Sequence, residues 1–138
     1  MHINAGPEIG VASTKAYTSQ MLTLIMFALM MAEDSKAKEA RRKAVLADLK
    51  RLPELIRKTL ELSEPIKKLV QRFEDSKSML LLGRGFAFAN CLEGALKIKE
   101  LTYLHAEGIL AGELKHGPLA LIEPSLPIIM VRSRCSCD

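Results

Sequence analysis

Apolar and polar positions divide the chain into a long helical stretch and a later part where short apolar runs end in glycine. Residues 4–13, Asn-Ala-Gly-Pro-Glu-Ile-Gly-Val-Ala-Ser, hold two glycines and a proline ahead of any periodicity, so they read as a loop. Ser13 or Thr14 is placed to cap a helix running to about Met31. The second half of that helix is apolar around its whole circumference, which predicts burial on several sides. From Ser35 the pattern turns polar, with Lys36, Lys38, Glu39, Arg41, Arg42 and Lys43 close together, as in an exposed helix start or a connector. A lobe boundary is expected there. Val45, Leu49, Leu52 and Ile56 then recur at helical spacing, and Pro53 is expected to bend or divide that helix. Ser63 and Pro65 restart a helix with Ile66, Leu69, Val70 and Phe73 on one face.

The character changes again at Met79–Leu82, an apolar run ended by Gly83-Arg84-Gly85. It reads as a buried strand leaving into a glycine loop. A helix follows from about Asn90 to Leu104, and Pro127–Val131 is expected to be the next strand, reached through residues 112–122. Strand, loop, helix and strand in that order predict a parallel α/β unit.

Composition narrows the function classes. With 138 residues and 49% hydrophobic content the chain can form a core. Twenty Lys and Arg against sixteen Asp and Glu leave a net charge of +4, spread through helical stretches rather than gathered into a block. Four Phe, two Tyr and no Trp offer little for stacking bases, so nucleic acid is not an expected partner. The longest apolar run, Met21–Ala32 interrupted by Thr23, is twelve residues and falls short of the roughly 20 that cross a bilayer. Met1-His2-Ile3-Asn4 lacks the basic-then-apolar pattern of a secretory leader, and the cytoplasm is the expected location. The three cysteines, Cys91, Cys135 and Cys137, lack the paired spacing of a zinc site, and reduced thiols are expected.

Three features could carry chemistry. The Leu81–Gly85 element could present backbone N–H groups to an anion, although Phe88 stands where G-x-G-x-x-G needs its last glycine; a simple tight connection is the competing reading. Glu93, Lys97 and Glu100 stand at i, i+4 and i+7, on one helix face. A carboxylate base beside a cation suits proton abstraction next to a carbonyl, and the same spacing also describes a solvated ion-pair row. His116, in Glu113-Leu114-Lys115-His116-Gly117-Pro118, lies on a loop fixed by Gly-Pro and suits acid–base work near neutral pH or a structural hydrogen bond equally. His2 and His105 carry no assigned chemistry, Cys91 reads as a buried filler, and Ser13 reads as a cap.

Longer strings add a resemblance. Residues 2–20, His-Ile-Asn-Ala-Gly-Pro-Glu-Ile-Gly-Val-Ala-Ser-Thr-Lys-Ala-Tyr-Thr-Ser-Gln, resemble the end of the first sugar-isomerase (SIS) lobe of glutamine:fructose-6-phosphate amidotransferases. Leu82–Gly85, Cys91–Glu100 and Gly112–Ile122 are similar to the start of the second. The resemblance runs from His2 to about Val131, with residues 33–78 matching in pattern more than in identity. It implies an α/β fold of SIS type, a flavodoxin-like parallel sheet flanked by helices, here incomplete and rich in helix. Residues 1–36 would be the end of the first lobe and 37–138 the start of the second, with 132–138 an unmatched tail.

In that family the isomerase half converts fructose 6-phosphate and ammonia to glucosamine 6-phosphate without metal or nucleotide cofactor. The resemblance implies that Glu100 moves the proton between the first two sugar carbons, with Lys97 as its companion. It further implies that His116 assists ring opening in a neighbouring subunit, so that a homodimer or pairing with a full-length subunit belongs to the mechanism. Val11 and Ser13 would line the sugar-phosphate pocket. The glutaminase domain, the Ser/Thr-rich phosphate cradle and the family's lysine-bearing tail have no counterpart, so a truncated product inactive by itself is expected. The alternative is a non-catalytic SIS-type module that binds sugar phosphate or associates with a complete subunit. A sugar-sensing transcription regulator of the same fold is disfavoured, since no helix-turn-helix is evident. Separated half-lobes should also expose apolar surface, predicting poor solubility or oligomerisation.

Overall fold

A computed structural model describes residues 2–132, so the expectations for Cys135 and Cys137 lie outside the described residues. The chain separates into two compact units, Met1–Gln71 and Arg72–Asp138.

In the first unit three helices carry the pattern: α1 (Lys15–Met31), α2 (Glu39–Leu60) and α3 (Ser63–Val70), with a short 3₁₀ turn at Lys36–Lys38 before α2. Neither Ser13 nor Thr14 caps α1 through its side chain. Glu8 does so instead, its Oε1 accepting from the Thr14 N–H at 3.3 Å and the Ala16 N–H at 3.0 Å. A carboxylate is well suited to that place, because the first amides of a helix lack intrahelical acceptors and the dipole favours negative charge there. Lys15 Nζ also donates to the Pro7 carbonyl at 2.7 Å, tying the loop to the helix start.

One expectation fails in this unit and another is narrowed. α1 has no buried residue, because a helix apolar all round needs partners on several sides and these residues do not supply them. Pro53 does not divide α2, which runs unbroken through it. The exposed faces of α2 and α3 are laced with pairs such as Lys43–Glu39 at 2.6 Å and Lys67–Glu64 at 3.5 Å. Each such pair contributes about 0.3–0.5 kcal/mol, so local pairing is minor support for these helices.

The second unit is built on β1 (Ser78–Gly83), α4 (Phe86–Thr102), β2 (His105–Leu110) and β3 (Ile128–Val131). All pairings are parallel and the strand order is β2-β1-β3, so β1 is central. Its continuous apolar run follows from burial on both faces. Met79 and Leu81 join Cys91, Ala95 and Ala106 in one cluster, while Leu80 and Leu82 join Ile109 in another. α4 covers the first face through Ala87, Cys91 and Ala95.

Small residues make that approach close. A Cβ on Gly83 would meet the Ala87 carbonyl oxygen and Cys91 Sγ at 2.7 Å, and one on Gly108 would meet the Leu92 amide nitrogen at 2.9 Å. The second face is covered by the 3₁₀ segment Ala111–His116, whose Ala111 and Leu114 pack on it together with Leu126.

The strand after α4 is β2, and not the run at residues 127–131. His105-Ala106-Glu107-Gly108-Ile109-Leu110 escapes the hydrophobic pattern because its positions facing α4 are small: Gly108 lies under the helix backbone and Ala106 is 1% exposed. β3 pairs on the other edge of β1. Among the described residues no helix is long and apolar enough to cross a membrane.

Candidate functional site

Two places in the second unit concern the predicted chemistry. The first is the end of β1, where the chain goes to β2 on one side and later to β3 on the other, the arrangement that opens a crevice in α/β sheets. Gly85 stands there at φ +56°, a conformation that favours glycine, and caps α4. The Ala87 and Phe88 N–H groups donate to the carbonyls of Arg84 and Gly85, both at 3.2 Å. Those donors are turned into the loop, which favours the tight-connection reading over an anion cradle.

The second place is the outer face of α4. On a 3.6-residue wheel Glu93, Lys97 and Glu100 fall opposite the sheet-facing Ala87, Cys91 and Ala95. Lys97 Nζ lies 2.7 Å from Glu100 Oε2 and 3.4 Å from Glu93 Oε1. The three side chains are only 20–25% exposed, unlike the exposed pairs of α2. The hydrogen bond to Glu100 holds the Lys97 ammonium above the ordinary lysine range; partial desolvation opposes it, and Glu93 adds to it. The arrangement is a fixed cation between two carboxylates. Glu100 lies 14 residues beyond Phe86, so it is about 21 Å along the helix from the β1 crevice.

His116 is brought to neither place by any described bond. Its Nδ1 lies 2.9 Å from Glu113 Oε2, with both side chains largely in solvent. Val11 is 95% exposed and Ser13 half-buried, both in the first unit. Within the second unit the structure joins Lys97 and Glu100 and links His116 to neither by a described bond, while Val11 and Ser13 belong to the first unit. Two partners escaped the sequence reading. Glu8 is the cap of α1, and Glu113 is the companion of His116; the second was visible as an i, i+3 acid–histidine spacing. Among the described residues no group of three or more His, Cys, Asp or Glu is arranged to hold a metal ion.

Comparison with known proteins identifies the class. Residues 72–135 match the SIS domain, which agrees with the parallel sheet and the close-packed α4, so the second unit is a SIS-type α/β fold, here helix-rich and partial. Glutamine–fructose-6-phosphate aminotransferase [isomerizing] 1 of Rattus norvegicus is 60% identical over 134 residues, 97% of this chain and 20% of that protein. The Saccharomyces cerevisiae enzyme is 58% identical over 137 residues, 99% of this chain and 19% of that protein. The C-terminal domain of glucosamine-fructose-6-phosphate aminotransferase from Francisella tularensis superposes with a TM-score of 0.89 at 40% identity, covering 95% of this chain and 38% of that one. A putative phosphosugar isomerase from Clostridium difficile 630, at 23% identity and a TM-score of 0.78, shares the fold. The chain is a homologue of the glutamine–fructose-6-phosphate aminotransferases and corresponds to part of their SIS-bearing region. It spans about one fifth of the length of the curated relatives it matches.

Proposed function

We propose that this chain contributes base and cation to the isomerase step that makes glucosamine 6-phosphate from fructose 6-phosphate and ammonia. The observation carrying this reading is the partly buried Lys97–Glu100 contact at 2.7 Å, flanked by Glu93. Lys97 occupies Glu100 Oε2, which leaves Oε1 to take the proton between the first two sugar carbons after imine formation. The ammonium then stabilises charge that develops on the adjacent oxygen or nitrogen. His116 would act as acid–base in ring opening, taking the anomeric hydroxyl proton as the ring C–O bond breaks and returning a proton to the ring oxygen. Val11 and Ser13 would line the sugar-phosphate pocket.

Residues 1–36 and 37–138 would belong to successive lobes, a division distinct from the compact units that meet at Gln71 and Arg72. Action in the cytoplasm and pairing with a second subunit belong to the same reading, as does inactivity of the chain alone. Ammonia-dependent formation of glucosamine 6-phosphate tests it. The chain alone should give none; turnover at the rate of a complete enzyme would overturn the view that the site is unfinished. Glu100→Gln should remove whatever turnover appears once a complete subunit is added, and full retention would remove Glu100 from the mechanism.

A second reading, a non-catalytic module for sugar-phosphate binding or subunit association, is favoured by the exposure of Ile9 and Val11 on the loop before α1. Calorimetry showing neither fructose 6-phosphate binding nor association with a complete subunit would remove it.

A further inference from the structure

His116 lies at the end of the 3₁₀ segment Ala111–His116, where three residues complete a turn and side chains at i and i+3 eclipse one another. Glu113 therefore stands directly beside it, and its Oε2 lies 2.9 Å from Nδ1. The segment is anchored. Ala111 and Leu114 pack on the cluster of Leu80, Leu82 and Ile109, so the backbone that carries Glu113 and His116 is pinned to the sheet. Gly117, at φ +149°, turns the chain out of the segment, and Pro118 starts the next short turn. A carboxylate is acceptor-only when ionised, so the contact needs a proton on Nδ1.

We infer that Glu113 is a positioning residue that holds neutral His116 as its Nδ1–H tautomer, leaving Nε2 as the basic nitrogen. The hydrogen bond made by one ring nitrogen decides which of the two carries the proton. An unrestrained imidazole would divide between both forms, and only the form with bare Nε2 could accept a proton there. The inference rests on the reading of His116 as an acid–base group, and its test does not.

Long-range proton–nitrogen correlation spectra of the full chain, labelled with 15N-histidine and recorded above the histidine titration, separate pyrrole-type from pyridine-type ring nitrogens. His116→Gln assigns the signals. The expected result is a pyrrole-type Nδ1 and a pyridine-type Nε2 in the unaltered chain. Glu113→Ala should lower the Nδ1–H to Nε2–H ratio about two- to fivefold, the range a single exposed hydrogen bond supports. Glu113→Gln, which keeps an acceptor oxygen in place, should restore most of it. A pyrrole-type Nε2 in the unaltered chain, or a ratio indifferent to Glu113→Ala, would overturn the proposal. If the ratio responds to Glu113 while fructose 6-phosphate with a complete subunit leaves the His116 nitrogens unmoved, the tautomer assignment stands and the sugar-facing role of His116 falls.

Discussion

Residues 72–132 and residues 2–71 are similar in apolar content and differ in how it is used. Among the described residues every buried hydrophobic side chain except Ala12 belongs to the later stretch, on β1, α4 and β2. In the earlier stretch Leu24 and Met31 remain about two-thirds exposed on α1, whose sequence is at least as apolar as that of α4. The difference lies in what each backbone offers its own side chains. A parallel strand flanked by two others has two faces to bury, and α4 and the Ala111–His116 segment cover one each. Three helices joined by short turns leave their apolar faces to be covered from outside. The candidate chemistry follows that division: Lys97, Glu100 and His116 ride on elements fastened to the sheet, whereas Val11 sits on an exposed loop.

The contrast is most directly broken at Leu82, which is 2% exposed in the centre of β1. Leu82→Ala should cost about 2–5 kcal/mol. Loss of hydrogen-exchange protection throughout β1–β3 in urea would record it, and retained protection would mean the sheet is not the stability core. Gly108→Ala should follow at about 1–3 kcal/mol, because its Cβ would meet helix backbone rather than a flexible side chain. A neutral result in the same assay would mean α4 can lift from the sheet freely.

Smaller effects belong to the first unit. Glu8→Ala leaves the Thr14 and Ala16 amides without their acceptor and should lower α1 helicity, with a cost of about 1 kcal/mol seen in urea titration followed by circular dichroism. Leu24→Ser, at a position 68% exposed, should stay within about 0.5 kcal/mol in the chain alone. A larger loss there would show that a second copy already covers α1.

The pH dependence is the finest of these probes. Burial raises the Cys91 thiol, so above the unfolded thiol value of about 8.5 the unfolded chain loses a proton that the folded chain keeps, and stability falls. Lys97 is also raised, chiefly by Glu100, so its contribution is complete below the unfolded lysine value of about 10.4 and disappears as pH climbs through the folded one. Stability should therefore be insensitive to these two groups near neutrality and decline on the alkaline side. A Cys91→Ala variant should lose the first part of that decline; an identical slope in both chains would refute the assignment.

Much of this was legible along the chain. Met79–Leu82 ending in glycine is a buried central strand, and the i, i+4, i+7 spacing of Glu93, Lys97 and Glu100 puts them on one face because helical period alone decides it. β2 was not legible. Its positions facing α4 are Ala106 and Gly108, small because the helix passes over them, and the need for smallness exists only once helix and strand are packed. Likewise Pro53 inside an intact α2 and Glu8 reaching to the start of α1 depend on chain geometry that no local pattern records.

The sequence by itself determined the helical and extended periods, the shared face of Glu93, Lys97 and Glu100 and, through its longer strings, kinship with the aminotransferases. Tertiary structure decided which apolar runs are covered, which strands pair, and how closely α4 approaches the sheet at Gly83 and Gly108. The physical reason is range. Backbone periodicity acts between neighbours in the chain, whereas burial, close approach and hydrogen-bond partnership are settled only when distant segments compete for the same space.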